Sequence, residues 1–148
     1  MTTRIAPLAP ADFEEWLPLW RGYQTFYEVD IPAETTKITF ARLTDASEPM
    51  GAFLARDESG RAIGMVHWIL HRSCWTTGDY CYLQDLFVAP DIRGGGVGRK
   101  LIEAVYEVAQ NHGCSRVHWL TQFTNERAMV LYDKIATKSG FLQYVKRF

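Results

Sequence analysis

The chain has 148 residues, of which 47% are hydrophobic, enough for one sizeable core and hence a single domain over residues 1–148. A net charge of −1 with scattered basic residues argues against a nucleic-acid partner. Three cysteines without CxxC spacing argue against a disulfide framework and a zinc site, so we predict no metal. Because no apolar run suits a signal peptide or a membrane span, we expect a cytoplasmic protein without a membrane partner.

The first half of the chain predicts a strand, two helices and a hairpin. Residues 3–7 indicate a short strand, and Pro10 begins a helix that Pro18 is expected to end or kink. A second short helix follows over residues 35–45. Two apolar runs then flank residues 57–60, a DESG turn typical of a β-hairpin.

The second half predicts a third meander strand, a helix, a strand, a helix and a last strand. Between residues 96 and 112, apolar residues recur at three- and four-residue steps, which predicts an amphipathic helix that Gly113 ends. Residues 115–123 indicate a strand, residues 125–138 a helix and residues 141–148 a final strand. The order β-α-α-β-β-β-α-β-α-β contains one parallel crossover, so the predicted class is α+β with a mixed sheet.

A glycine-rich turn, DIRGGGVGRKLIEAV, joins the third meander strand to the amphipathic helix. Glycines here expose several N–H groups at the positive end of a helix, which is a binding site for phosphate or pyrophosphate. Arg99 stands where both the dinucleotide fingerprint and the Walker loop need glycine, so neither motif fits.

The R-x-x-G-x-G pattern from Arg93 to Gly98 resembles the GNAT superfamily of N-acetyltransferases, whose order of strands and helices also matches nearly the whole chain. The resemblance implies a GNAT-like fold and acetyl-CoA as co-substrate. It puts the main chain of Phe87 and Val88 beside the pantetheine, and it puts Asn125 at the start of the next helix in the coenzyme site. The implied phosphate-binding amides are those of Arg93, Gly94, Gly95, Gly96, Val97 and Gly98. Arg99 either adds charge to the phosphates or is a solvated side chain.

The same resemblance assigns a general acid. Tyr132 occupies the place of the family's tyrosine, which protonates the departing thiolate. A phenol suits this role because its unperturbed pKa of about 10 keeps it protonated at neutral pH. The alternative is that Tyr132 only packs with Val130 and Leu131 in the core.

A general base is harder to assign. The strand YLQDLFVAP is similar to that of the diamine acetyltransferases, which carry an acidic pair here, but Gln84 departs from that pattern and cannot accept a proton. Asp85 or an ordered water is left as the base, and Asp85 is otherwise a structural carboxylate. Alternation places Gln84 and Asp85 on opposite faces, so at most one points into the site unless a bulge re-aims them.

The acceptor site is predicted in the aromatic and acidic segment WRGYQTFYEVDIP, which suits a cationic amine. Its predicted substrate-binding residues are Tyr23, Tyr27 and Glu28, together with Gln84. None of the four histidines is assigned a chemical role, and His67 with His71 lacks a third metal ligand.

The predicted function is transfer of an acetyl group from acetyl-CoA to the primary amine of a small molecule such as a polyamine or an amino acid. The alternative is a CoA-binding sensor or interaction module that has lost turnover, which Gln84 favours and Tyr132 opposes. We expect a homodimer, because the last predicted strand leaves an edge that needs covering.

Overall fold

The computed structural model describes residues 2–92 and 94–148 of the chain. In that part, five strands form one sheet, β1 (Arg4–Pro7), β2 (Met50–Arg56), β3 (Ala62–His71), β4 (Tyr80–Val88) and β5 (Val117–His118). The strands lie in sequential order, with β4 and β5 parallel and the other neighbours antiparallel. The helices are α1 (Phe13–Phe26), α2 (Ala33–Leu43), α3 (Val97–Asn111) and α4 (Glu126–Ile135). The predicted α+β class with a mixed sheet is confirmed.

The helices cover both faces of the sheet. Trp16, Trp20 and Phe40 of α1 and α2 pack on one face against Leu54 and Met65. The indole N–H of Trp20 donates to Thr36 Oγ1 at 3.3 Å, which ties α1 to α2. On the other face, α3 and part of α4 pack over β3 and β4. No helix in the described part of the chain combines the length and apolar character needed to cross a bilayer.

The periodicity of α3 is confirmed. Its buried residues are Val97, Leu101, Ile102, Val105 and Ala109. Gly113 follows the helix with φ +72°, and the N–H of Cys114 reaches back to the carbonyl of Ala109 at 2.9 Å. A left-handed residue after the last turn is a common way for a helix to end, and glycine adopts it without strain.

Pro18, predicted to end or kink the first helix, does not end it, because α1 continues from Phe13 to Phe26. Proline removes one N–H from the helix, and its missing partner is the carbonyl of Glu14. Both Glu14 and Pro18 are exposed, so water can satisfy that carbonyl. The aromatic packing of Trp16 and Trp20 on the opposite face stabilises the helix across this position.

Two predicted strands differ from the structure. The strand expected over residues 115–123 is limited to Val117–His118, because β4 offers pairing only at Cys81 and Tyr82. The last strand, expected over residues 141–148, is absent from the described fold, and residues 137–148 lie exposed without helix or strand. A strand requires a neighbouring backbone for its ladder, and β5 is too short to provide one.

Candidate active site

The sheet opens along β4, which has a β-bulge in its pairing with β3 and pairs with β5 over only two residues. His67 of β3 pairs with Asp85, whereas the next residue, Trp68, pairs with Leu83, so the pairing skips Gln84. A bulge bends its strand and increases the local twist. Beyond Tyr82, the chain that follows β5 therefore runs free of β4, and a gap opens between them.

This gap contains a cavity of about 290 Å³, which we call the cleft. Its wall combines one residue of α1, the residue directly after α1, four of β4, the segment after β5, one residue of α4 and one of the C-terminal segment. These residues are Tyr23, Tyr27, Tyr82, Leu83, Gln84, Leu86, Trp119, Leu120, Thr121, Gln122, Tyr132 and Gln143. Four predicted site residues, from three separate elements, thus meet at one place.

Tyr132 of α4 enters the cleft from the face that α3 covers. Its ring packs edge-on against Trp119, with the ring centroids 5.4 Å apart and the planes at 70°. Burial, and then the neighbouring Tyr27, raise the pKa of the Tyr132 phenol above its usual value. The phenol is therefore protonated at neutral pH and carries a proton that it can donate.

Asp85 lies beside the cleft but not in its wall. The residue is only 7% exposed and points to the α1 face, while the exposed Gln84 lines the cleft. Gln84 and Asp85 thus lie on opposite sides of β4, and only Gln84 of the two lines the cleft. Asp85 Oδ2 is 2.8 Å from His67 Nδ1, and His67 Nε2 is 3.0 Å from Trp16 Nε1.

The sequence gives no sign of the hydrogen bonds that join Trp16 to His67 and His67 to Asp85. His67 is 2% exposed and Trp16 is fully buried, so both belong to the core by burial alone. They are 51 residues apart in the chain, and His67 is 18 residues from Asp85. No spacing rule of a helix or strand links residues at such separations, so only the fold brings them together.

A row of aromatic rings along α1 leads from the core into the cleft. Trp16 stacks on Trp20, and Trp20 stacks on Tyr23, with interplanar angles of 16° and 13°. Tyr23 then contacts Tyr27 at a centroid distance of 4.8 Å. Burial, followed by the negative charge of Asp85, raises the pKa of both phenols.

Buried Gln24 holds the end of α1 in place. Its side-chain carbonyl accepts the backbone N–H of Ile31 at 2.8 Å, and its amide donates to the carbonyl of Trp20. The chain that leaves α1 is thereby fixed next to Tyr27. Glu28 follows with φ +56°, is exposed and does not line the cleft, so its part in substrate binding stays a prediction.

The glycine turn presents backbone N–H groups to solvent at the start of α3. Gly94 and Gly96 have φ of +67° and +68°, and Gly96 is the N-cap of the helix. A Cβ built at either glycine would have no described atom within 4 Å. The first N–H groups of a helix have no partner within it, so this open turn fits an anion such as pyrophosphate.

The predicted phosphate site includes two arginines, of which the structure describes one. Arg93 lies outside the described residues. Arg99, in the first turn of α3, is half exposed and lies 3.6 Å from Glu103 in an i,i+4 ion pair. Such an exposed pair is weak, so Arg99 is free to turn to a phosphate.

The remaining residues predicted to bind the coenzyme lie at the end of β4 and the start of α4. Phe87 faces α1, where its ring comes within 2.7 Å of a Cβ built on Gly22. Val88 faces α3 and approaches Gly98 of the glycine turn. Asn125 is the N-cap of α4, as predicted, and its side chain lies 3.5 Å from Thr121 Oγ1.

A larger cavity of about 920 Å³ lies between α1 and the ends of β3 and β4. Its wall includes Gly22, Phe26 and Phe87, and its polar rim is the Arg61–Asp91 ion pair, at 2.7 Å. It contains neither Tyr132 nor Gln84. The predicted acid Tyr132 and the tyrosines Tyr23, Tyr27 and Tyr82 converge instead in the smaller cleft.

The mixed sheet that opens at a bulge, with a glycine turn leading from β4 into α3, defines the acyl-CoA N-acyltransferase class of fold. A sequence model described as the acetyltransferase (GNAT) family matches residues 13–136. The chain belongs to the GNAT family and is an acetyl-CoA-dependent N-acetyltransferase.

The chain is similar to several named acetyltransferases. The D-amino-acid N-acetyltransferase HPA3 of Saccharomyces cerevisiae is 40% identical over 141 residues, 95% of this chain and 88% of that protein. The thialysine N-epsilon-acetyltransferase of Bos taurus is 41% identical over 66 residues, 45% of this chain and 38% of that protein. A structure of AAC(6′)-Iy with a CoA bisubstrate analogue matches in fold, with a TM-score of 0.86 at 18% identity over 100% of this chain and 99% of that one.

Proposed function

We propose that this enzyme acetylates the primary amine of a small molecule and that amino acids and diamines are its acceptor classes. The observation that carries the proposal is the cleft, in which Tyr132, Gln84, Tyr23 and Tyr27 surround about 290 Å³ at the opening of the sheet. That volume is at the lower end of the range for small-molecule sites, which suits a compact acceptor.

Acetyl-CoA supplies an activated acetyl group and a thiolate leaving group. Three parts of this chain bind different parts of it. The amides from Gly94 to Gly98 hold the pyrophosphate at the N-terminus of α3. Backbone groups of Phe87 and Val88 lie along the pantetheine. Tyr132 donates its phenolic proton to the leaving sulfur, since a thiolate departs more easily when a positioned acid protonates it.

The lining of the cleft supports a positively charged acceptor. Its described residues include no Lys, Arg, Asp or Glu, whereas its aromatic rings offer their negative faces to a cation. The carboxylate of Asp85 is buried directly after Gln84 in β4 and adds a negative charge close to the cleft. A carboxylate on the acceptor would instead meet the side-chain amides of Gln84, Gln122 and Gln143.

The relatives supply the acceptors to test first. HPA3 is named for D-amino acids and aligns with most of this chain, so D-amino acids are the first acceptors to test. Thialysine N-epsilon-acetyltransferase is named for the ε-amine of a lysine analogue and covers a shorter stretch, so side-chain amines come second.

The test is thiol release from acetyl-CoA with matched acceptors. The panel contains a D-amino acid, its L-enantiomer, the amine that remains when its carboxylate is removed, and an aliphatic diamine. We expect acetylated product with at least one of these acceptors, confirmed by mass. If calorimetry shows coenzyme binding but no acceptor yields product, the proposed small-molecule function is wrong.

A further inference from the structure

An exposed ion pair lies at the entrance to the glycine turn. Arg61 Nη1 donates to Asp91 Oδ2 at 2.7 Å, and Arg61 Nη2 donates to Asp91 Oδ1 at 3.1 Å. Two parallel hydrogen bonds between a guanidinium and a carboxylate are the geometry in which such a pair is strongest. Asp91 comes three residues before Gly94, so the pair adjoins the proposed phosphate site.

The turn between β2 and β3 presents Arg61 to this carboxylate. Asp57 Oδ1 accepts three hydrogen bonds, from the N–H of Ser59 at 2.9 Å, from the hydroxyl of Ser59 at 2.7 Å and from the N–H of Arg61 at 3.0 Å. The N–H of Asp57 in turn donates to the carbonyl of Arg61 at 3.0 Å. The backbone of Arg61 is thereby fixed at both its N–H and its carbonyl.

The segment that contains Asp91 is also held by contacts other than the ion pair. The N–H of Ala89 donates to the carbonyl of Ile63 at 2.8 Å, and the N–H of Ile92 donates to the carbonyl of Ala89 at 3.0 Å. The partly buried side chain of Ile92 packs against the hydrophobic cores on both faces of the sheet. Because exposed ion pairs contribute little to stability, we expect the pair to contribute little to the position of this segment.

The ion pair determines the net charge beside the turn. The hydrogen bonds from Arg61 lower the pKa of Asp91, so the carboxylate is ionised at neutral pH. The α-carbons of Asp91 and Gly94 are at most about 11 Å apart, which is close to the Debye length of about 10 Å at 0.1 M salt. A bare carboxylate at this distance repels a pyrophosphate, whereas a carboxylate paired with Arg61 adds no net charge.

We propose that Arg61 supports acetyl-CoA binding by neutralising the charge of Asp91 at the entrance to the glycine turn. The proposal rests on the proposed binding of the pyrophosphate at this turn. At the other end of the turn, Arg99 lies 3.6 Å from Glu103. The acidic side chain near each end of the turn is thus balanced by an arginine, which leaves the positive end of α3 to attract the phosphates.

Three variants test the proposal by changing the net charge of the pair in single steps. The pair is neutral in the parent, negative in Arg61→Gln, positive in Asp91→Asn and neutral again in the double variant that combines both changes. Calorimetry measures the dissociation constant of acetyl-CoA for each protein, and thermal melting shows that each variant is folded. Affinities that follow the net charge of the pair have a different order from affinities that follow the loss of a structural contact.

We expect Arg61→Gln to weaken acetyl-CoA binding about threefold at an ionic strength of about 0.01 M, because its exposed carboxylate repels two phosphate charges through about 10 Å of water. Asp91→Asn should bind acetyl-CoA at least as tightly as the parent, and the double variant should match the parent. At about 1 M salt, where the Debye length is about 3 Å, the four affinities should become equal.

Two controls separate the charge effect from other causes. Arg72 and Asp79 form a second exposed pair, at 3.3 Å, just beyond the other end of β3. Since β3 has ten residues, this pair is roughly 30 Å from the first, and Arg72→Gln should leave the affinity for acetyl-CoA unchanged. S-Acetylpantetheine is an acetyl donor without the pyrophosphate, so its kcat/KM with Arg61→Gln should equal that with the parent.

The outcomes separate the role of Arg61 from the coenzyme site itself. If Asp91→Asn weakens binding as much as Arg61→Gln, the pair acts only as a structural contact and the charge role is wrong. The charge role is also wrong if Arg61→Gln binds acetyl-CoA like the parent in dilute buffer, or if it loses as much activity with S-acetylpantetheine as with acetyl-CoA. In all three cases, weaker binding by Gly96→Asp would leave the phosphate site standing. An unchanged affinity of Gly96→Asp would overturn the site and the role of Arg61 together.

Discussion

Replacement of Tyr132 by Phe is the sharpest test of the catalytic assignment, because it removes one hydroxyl and retains the ring. The edge-on packing on Trp119, at 5.4 Å between centroids, needs only the ring and survives the change. Loss of a hydrogen-bonding hydroxyl typically alters stability by about 1 kcal/mol. Since small proteins are stable by about 5–15 kcal/mol, the variant should remain folded.

The expected effect on rate is larger than the effect on stability. A positioned general acid contributes about a hundredfold to ten-thousandfold, and a hundredfold corresponds to about 2.7 kcal/mol of activation free energy. Partial substitution by water lowers this, so we expect turnover to fall by more than about tenfold. A purely structural Tyr132 would leave the rate nearly unchanged, so the two accounts differ clearly.

The assay for Tyr132→Phe combines three measurements. Single-turnover thiol release reports the chemical step without product release, calorimetry reports coenzyme affinity, and thermal melting reports stability. We expect only the first to change. A variant that matches the parent in single turnover on the best acceptor, with the same affinity and melting temperature, would show that Tyr132 is not the acid.

Three further predictions follow from the same structure. Gly96→Asp should weaken acetyl-CoA binding by more than about tenfold in calorimetry, because it puts a negative charge at the phosphate site. Gly96→Asn has a side chain of the same size and tolerates positive φ equally well, so it should weaken binding less. Equal affinities of the two variants would contradict a phosphate site at this turn. Burial raises the pKa of Tyr132, so its phenol keeps its proton as the pH rises. The loss of kcat at alkaline pH should therefore occur above about pH 10, and it should be absent in Tyr132→Phe. The side chains of the C-terminal segment are highly exposed, with 78% of the surface of Phe141, 84% of Leu142 and 94% of Tyr144 accessible to solvent. We therefore predict a homodimer in which a second copy covers this segment. A monomer mass by light scattering at micromolar concentration would refute this.

The features that sequence predicted well are those that depend on near neighbours in the chain. The apolar stripe of α3 consists of residues three and four apart in the chain, so it can be recognised without knowing what the helix packs against. The glycine turn was located because Gly96 lies directly between a strand and this helix. The end of α3 at Gly113 follows from the freedom of glycine to adopt positive φ.

The features that sequence did not predict depend on distant partners. Residues 119–123 alternate as a strand would, yet they form none because β4 turns away from them. The contact between Trp16 and His67 joins residues 51 apart, and an apolar helix pattern around Trp16 gives no sign of a histidine partner. The placement of Glu28 outside the cleft depends on one left-handed residue at the end of α1.

The bulge at Gln84 connects the opening of the sheet with the unusual pair of residues at this position. The bulge gives β4 one extra residue opposite β3, and the pairing of β4 with β5 ends two residues before it, at Tyr82. Gln84 lines the cleft, whereas Asp85 is buried on the α1 side. An acid at position 84 would face the acceptor directly. With glutamine there, the next carboxylate along the strand is that of Asp85, which is buried and lies 2.8 Å from His67. The cleft therefore receives from position 84 an amide, which cannot accept a proton at neutral pH, while the carboxylate of position 85 is turned away from it.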